Sequence, residues 1–457
     1  MSRSIGILGG GLAGIAAAVA LAQEGFPVTL IERRATLGGR ASAFQSDGVW
    51  VDNCQHVILG CCTNLLHLLN DLKTSHLIRF YDSIPFYANG KTTLIKPSFL
   101  PSPFHFMPSF LKAPLFSWKE KLSILRLMGK LLKHAPNPED LDKLTMLEWL
   151  KTEGQPEGAI EKFWSLVLVS TLNETLDRAS AKYGVMFIQE AFLRDRVSAS
   201  FGVPEVSLAE LYHVGAETLL NQYKVRRIQA TANAVAFESN RSKVFLDKDE
   251  PLEFDDLISA IPFYNLIPIL PPQIRENRFF SRVNSLETSP ILGIHYWFKK
   301  PLTQNRFGAF PLSPIHWFFT HPSRGESFYV ELVVSASRAL MDSSNDSLVQ
   351  LGLKELSEYF PNAVASYLIK SIVVRETRAT FSIKPGSDAF RPGQATPIPG
   401  FYLAGDWTDT GWPATMEGAV RSGYRAAELV MSQSGRSKAV LQREVSALSR
   451  NKVHHAN

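Results

Sequence analysis

The chain is short of the features that mark several large functional classes. It has three cysteines in 457 residues, Cys54, Cys61 and Cys62. An odd, clustered set suits reduced thiols in a cytoplasm better than a disulfide framework, and small apolar filling better than a catalytic thiol. Charge of either sign is hardly in excess: 48 Lys and Arg against 43 Asp and Glu leave +5. That is too mild for a nucleic-acid partner, and neither a zinc-ligand spacing nor a nucleic-acid motif is present. Uninterrupted apolar runs are also missing. Ile5–Gln23 is uncharged and follows Arg3 in the manner of a secretory leader, but five of its first ten residues are glycine, which weakens an apolar helix. It reads instead as a strand and helix of the mature fold. Leu257–Ile274 is uncharged but broken by Pro262, Pro268, Pro271 and Pro272, so no transmembrane helix is expected. A second G-x-G-x-x-G is lacking too. The chain therefore carries no NAD(P)H module of its own, and an external reductant of unknown identity must reach the site by another route.

What is present starts at Ile5–Leu8, a short apolar strand running into Gly9, Gly11 and Gly14. In this G-x-G-x-x-G the first glycine permits a tight turn, the second a close backbone approach by pyrophosphate, and the third close helix–strand packing. The helix expected from about Leu12 to Glu24 points its amides, those of Leu12 and Ala13 among them, and its dipole at that pyrophosphate. A second strand, Val28–Ile31, delivers Glu32 about twenty residues on, where a carboxylate accepts from ribose hydroxyls; Arg33 follows. An acid here fits FAD or NAD and disfavours a 2′-phosphate.

At the other end, Phe401–Ala404 reads as a buried strand and Gly405 as a turn. Asp406 is then placed to accept from ribityl or ribose hydroxyls. A helix over 418–430 would turn its N-terminus, near Met416 and Glu417, towards an isoalloxazine ring and stabilise negative charge there. The two ends together point to FAD and redox chemistry.

Leu37-Gly38-Gly39-Arg40-Ala41 resembles the G-G-R element of the amine oxidase and phytoene desaturase superfamily. That likeness implies that Gly39 and Arg40 sit beside the cofactor. Val225-Arg226-Arg227-Ile228 resembles the segment of that fold that returns to the nucleotide, with Val225 implied at the adenine. The fold class expected is α/β: a Rossmann-like FAD-binding domain (1–85, 205–265 and 385–434) with an interleaved α+β substrate domain (86–204 and 266–384). A polar, flexible tail is expected over 435–457.

The first insertion collects Phe86, Phe99, Phe104, Phe106, Phe110 and Phe116 among repeated prolines. Ser117-Trp118-Lys119-Glu120 is a capping box that starts a helix to about His134. On it, Lys119, Arg126, Lys130 and Lys133 form one stripe, and Trp118, Leu122, Leu125, Met128 and Leu132 another face. A basic amphipathic helix beside aromatic loops suits an interfacial anchor, so peripheral contact with the inner face of the cytoplasmic membrane is expected.

Val51-Asp52-Asn53-Cys54-Gln55-His56-Val57-Ile58-Leu59-Gly60 resembles the D-N-G-Q-H-V-L-L-G stretch of the squalene-associated FAD-dependent enzymes, the hydroxysqualene dehydroxylases of hopanoid and squalene biosynthesis. Phe163-Trp164, Leu172-Asn173, Ala179-Ser180-Ala181, Val203-Pro204 and the run Gly405–Thr415 are similar to the same family. Cys54 departs from it, standing where the family has glycine. The resemblance implies reduction of hydroxysqualene to squalene by hydride from reduced flavin, with a long apolar isoprenoid as substrate. An acid must then protonate the departing oxygen; His56 is the nominee, with a structural or flavin-contacting role as its alternative, and behind it Asp409 and Glu417, each more readily a turn or helix-cap residue. A carotenoid or phytoene-type desaturase, an amine oxidase, and a flavin-free prenyl-binding carrier remain open.

Overall fold

The computed structural model describes residues 3–238, 241–248, 250–321 and 327–442. Its first layer is a five-stranded parallel sheet in the order Arg226–Gln229, Val28–Glu32, Ile5–Leu8, Asp256–Ser259, Phe401–Leu403. Strands from both ends of the chain thus meet in one sheet. Ile5–Leu8 and Asp256–Ser259 are buried throughout, as a parallel sheet covered on both faces requires.

The Leu12–Gln23 helix is apolar all round, and every residue from Leu12 to Ala22 is buried. It is wedged between this sheet and the Met416–Gln433 helix, and two glycines set the distances. A Cβ at Gly14 would lie 1.9 Å from the Gly9 carbonyl oxygen, and one at Gly423 would lie 2.2 Å from that of Ala13. Helix can approach strand, and helix can approach helix, only because both side chains are missing.

The second layer is a seven-stranded mixed sheet in the order Leu368–Phe381, Thr288–Phe298, Phe328–Ser335, Trp317–Thr320, Phe307–Ala309, Ile84–Ala88, Lys91–Ile95. Ile84–Ala88 pairs along its length with Lys91–Ile95 and meets Ala309 on the far side. Ile84 and Pro85, assigned by sequence to the nucleotide half, therefore belong to this sheet. A helical layer closes over it, including Trp118–Lys133, whose capping box forms as expected: Ser117 Oγ accepts from Glu120 N and Glu120 accepts from Ser117 N.

The tail expected from Gly435 is not loose over its first eight residues. Arg436 donates to the Glu24 carbonyl, Val440 and Leu441 donate their amides to Glu428, and the Gln442 amide donates to Asn64 Oδ1. The rest of the expected tail, 443–457, lies outside the described residues.

Candidate functional site

Parallel strands end at one common edge, and in open α/β sheets ligands bind beyond those carboxyl ends. A cavity of about 1210 Å³ opens there. Its wall includes Leu8 and Gly9 after the first strand, Ile31 and Glu32 of the second, Ala230–Asn233 after the returning strand, Ala260 and Ile261 after the fourth, and Gly405 and Asp406 after the last. From there it runs between the layers to Ile291, Trp317, Phe319, Val333 and Glu376–Thr380 of the seven-stranded sheet, and on to Phe104, Phe110, Phe163, Met128 and Leu132. Ligand pockets commonly measure about 300–1,000 Å³; this one lies above that range.

Most of the residues nominated from sequence converge here. Gly9, Gly11, Leu12, Ala13, Glu32, Arg33, Gly39, Arg40, His56, Gly405, Asp406, Met416 and Glu417 all border the cavity. Gly11 caps the Leu12–Gln23 helix without any side-chain hydrogen bond to its first turn, so those amides are left for a ligand. A Cβ at Gly11 would meet nothing closer than Gly39 Cα at 3.8 Å; the space in front of it is cavity. Glu32 is anchored, taking the Gly10 amide at 2.7 Å and the Arg34 amide at 2.8 Å. Each of its oxygens keeps a further acceptor position. Arg40 and Asp406, 366 residues apart, form an ion pair in the wall. Gly405 adopts φ +134°, a conformation side chains rarely take, and its amide donates to Ser422 Oγ at 2.7 Å. An open helix N-terminus, an acid at the second strand and a buried acid after the last strand together fit FAD.

Four nominees take other places or roles. Gly14 is away from the cavity and acts through packing, as above. Val225 does not reach it either: it precedes the Arg226–Gln229 strand and is buried in the hydrophobic cluster that holds the Leu12–Gln23 helix. The nucleotide edge lies at the strand's other end, where Ala230–Asn233 border the cavity instead. Glu417 contributes position but not its carboxylate, which accepts from Asn64 N, Asn64 Nδ2 and Leu65 N at 3.2, 2.8 and 2.8 Å. It caps the neighbouring Thr63–Asp71 helix and is not free to protonate a ligand. Asp409 is exposed and accepts from the Gly411 amide, a turn role.

His56 stands on a loop braced from behind. Glu331, fully buried on the Phe328–Ser335 strand, accepts from the Gln55 amide at 2.5 Å. Asn53 Nδ2 donates to the Arg40 carbonyl at 2.7 Å and to Glu376 at 3.1 Å. His56 Nδ1 lies 2.6 Å from the Cys54 carbonyl oxygen. A carbonyl only accepts, so Nδ1 carries the proton. Burial, with help from the Arg40 charge, holds the His56 pKa below its ordinary value, so the ring is neutral and Nε2 bare. Cys54, buried, has no positive φ, so the backbone conformation at this position does not require glycine.

Sequence reasoning missed Arg391. Fully enclosed, it donates to the carbonyls of Asp406, Trp407, Thr408 and Trp412 at 3.2, 3.4, 2.6 and 2.9 Å and stacks on Phe381, 4.8 Å from the ring centroid. One guanidinium shapes the whole turn that carries Asp406. A lone arginine before Pro392 gives no local hint of that.

Known proteins resemble this chain along most of its length. A 15-cis-phytoene desaturase of Synechococcus elongatus is 26% identical over 457 residues, covering 94% of this chain and 96% of that protein. A zeta-carotene desaturase of Synechocystis is 24% identical, covering 94% and 98%. Among solved structures, a putrescine oxidase bound to putrescine superimposes with a TM-score of 0.73 at 18% identity, covering 94% of this chain and 99% of that one. Cyclohexylamine oxidase from Brevibacterium oxydans gives 0.72 at 15%, covering 95% and 100%; both show the fold. The family model for flavin-containing amine oxidoreductases matches residues 12–431. With a cavity built for the dinucleotide and a match along nearly its whole length, the chain belongs to the flavin-containing amine oxidoreductase family, as an FAD-dependent oxidoreductase.

Proposed function

We propose that this chain is a desaturase of a long isoprenoid hydrocarbon, of the phytoene or carotene type. The observation that carries this is the placement of His56, which borders an apolar cavity with its Nδ1 tied to the Cys54 carbonyl. Desaturation takes a hydride from one carbon and a proton from its neighbour, leaving a C=C bond. Bound FAD supplies the hydride acceptor. The chain's part is to hold an apolar substrate away from water and to accept the proton, and a neutral His56 with a bare Nε2 on the cavity wall is a base. The aromatic and aliphatic lining from Phe104 to Val333 supports a hydrocarbon rather than a cation. The desaturase relatives, similar along the whole chain, support the same direction.

A second reading is favoured by a particular observation. The two runs that resemble the hydroxysqualene dehydroxylases, around Asn53–Val57 and Gly405–Thr415, both supply residues to the cavity wall. That reaction needs an acid at the leaving oxygen, and His56 as placed has no acidic proton to give. Anaerobic turnover separates the two. Oxidised holoprotein should bleach on phytoene while a longer conjugated polyene appears. Reduction of hydroxysqualene to squalene by the dithionite-reduced protein, with phytoene untouched, would replace the desaturase with the dehydroxylase.

The substrate's route is proposed to start at a membrane surface. The Trp118–Lys133 helix has three faces, not two. Ile124, Leu127 and Leu131 are buried against the core. Trp118, Leu122 and a Phe99 that is 93% exposed stand in solvent, together with the cavity-lining Leu132 and Phe104. Lys119, Arg126 and Lys133 are exposed on the third face, whereas Lys130 is taken by Glu153 at 2.7 Å. Rings for acyl chains next to cations for headgroups support peripheral docking. No helix of the described residues is long and apolar enough to cross a membrane. Changing Lys119, Arg126 and Lys133 to Glu should lower binding to anionic liposomes by at least about 100-fold, since each cation near such a surface contributes ~1 kcal/mol. Sedimentation unchanged at the same salt would move the anchor elsewhere.

A further inference from the structure

Glycines inside the helices of this chain have visible reasons. A Cβ at Gly184 would fall 2.3 Å from Met146 Sδ, one at Gly352 would fall 2.1 Å from the Tyr296 hydroxyl, and Gly14 and Gly423 face backbone oxygens as described. Gly129 has no such reason. It lies within the Trp118–Lys133 helix, has no positive φ, and a Cβ there would meet nothing within 4 Å. Among the described residues it is the one helical glycine of which this holds. Glycine is a far poorer helix former than alanine, so local stability argues against it.

Gly129 borders the cavity, whose wall it shares with Leu125, Met128 and Leu132 of the same helix. We propose that Gly129 sets the bore of the channel mouth, keeping it wide enough for a methyl-branched chain. An isoprenoid carries a methyl group on every fourth backbone carbon and needs a wider passage than a linear chain of equal length. The missing side chain supplies that width, at the expense of helix stability. The inference deepens the isoprenoid reading and rests on it.

The test uses FAD-loaded protein and two named probes: cis-parinaric acid, linear and fluorescent, and squalane, saturated and methyl-branched, as its competitor. Gly129→Ala should melt higher than the parent and compete within twofold of it. Gly129→Leu and Gly129→Phe should weaken squalane at least tenfold while parinaric acid changes less than threefold and FAD content stays constant. Two bulky variants are made so that one can misfold without loss of the answer. Equal squalane competition in the parent and in the bulky variants would overturn the bore. Equal loss of both probes would do so too. Failure of squalane to compete in the parent would instead sink the isoprenoid reading, and the bore with it.

Discussion

Gly11→Val is expected to yield a folded, colourless protein, and Gly14→Ala a protein destabilised by about 3 kcal/mol or more. The two glycines belong to one motif but fail for different reasons. At Gly11 the backbone is extended, with φ −73° and ψ 177°, and a Cβ would point past Gly39 into the cavity. The chain tolerates the side chain; the pyrophosphate does not. Holding the phosphates off two backbone amides forfeits two charge-assisted hydrogen bonds of about 1.5–3 kcal/mol each. FAD affinity should therefore fall on the order of 10²- to 10⁴-fold. At Gly14 the added carbon would lie 1.9 Å from the Gly9 carbonyl oxygen. That neighbour is backbone, not the flexible end of a side chain, so relief requires moving the Leu12–Gln23 helix off its sheet. Overpacking a core typically costs about 1–3 kcal/mol, and a rigid clash sits at or above the top of that range. Such a loss is a large share of a reserve of roughly 5–15 kcal/mol. Circular dichroism and bound-flavin absorbance, measured on both variants, check the contrast. A yellow Gly11→Val protein would remove the helix N-terminus from the cofactor site.

Asp406→Ala should be the next largest loss. Asp406 is 4% exposed, and its ion pair with Arg40 joins the Gly38-Gly39-Arg40 element to the turn after the last strand. Removing the carboxylate deletes an acceptor for the cofactor's hydroxyls, about 1–3 kcal/mol, or roughly 5- to 150-fold in FAD affinity. It also leaves Arg40 without its partner in a wall that already holds Arg33, Arg34 and Arg378. Asp406→Asn keeps an acceptor and should recover part of the affinity. Fluorescence titration with FAD separates the two contributions from the melting temperature of the apoprotein. Unchanged FAD affinity in the alanine variant would exclude Asp406 from the site, whatever happened to the melting temperature.

The parts of this site that were legible in the sequence are those whose reasons lie close along the chain. A turn, a helix N-terminus and an acid on the next strand fall within Ile5–Glu32, and the capping box at Ser117 falls within four residues. A cap role for Glu417 fits its place at a helix start, but which helix it caps was not legible, because its partners, Asn64 and Leu65, lie more than 350 residues away. Val225 was displaced for a related reason: strand direction decides which end of Arg226–Gln229 meets the cofactor, and the valine is at the other end. The role of His56 turned on one hydrogen bond to Cys54 on a loop braced by Glu331, and only packing reveals which ring nitrogen keeps the proton.

Sequence alone thus determined the cofactor class and the strand–helix–strand that receives it, because backbone shape and dipole at a glycine-rich turn are local properties. The tertiary structure alone decided how the site is closed. Arg40 with Asp406, Gln55 with Glu331, and Arg391 with four carbonyls are contacts between segments that a linear pattern cannot pair. Their energies exist only once two distant stretches share a buried, low-dielectric wall.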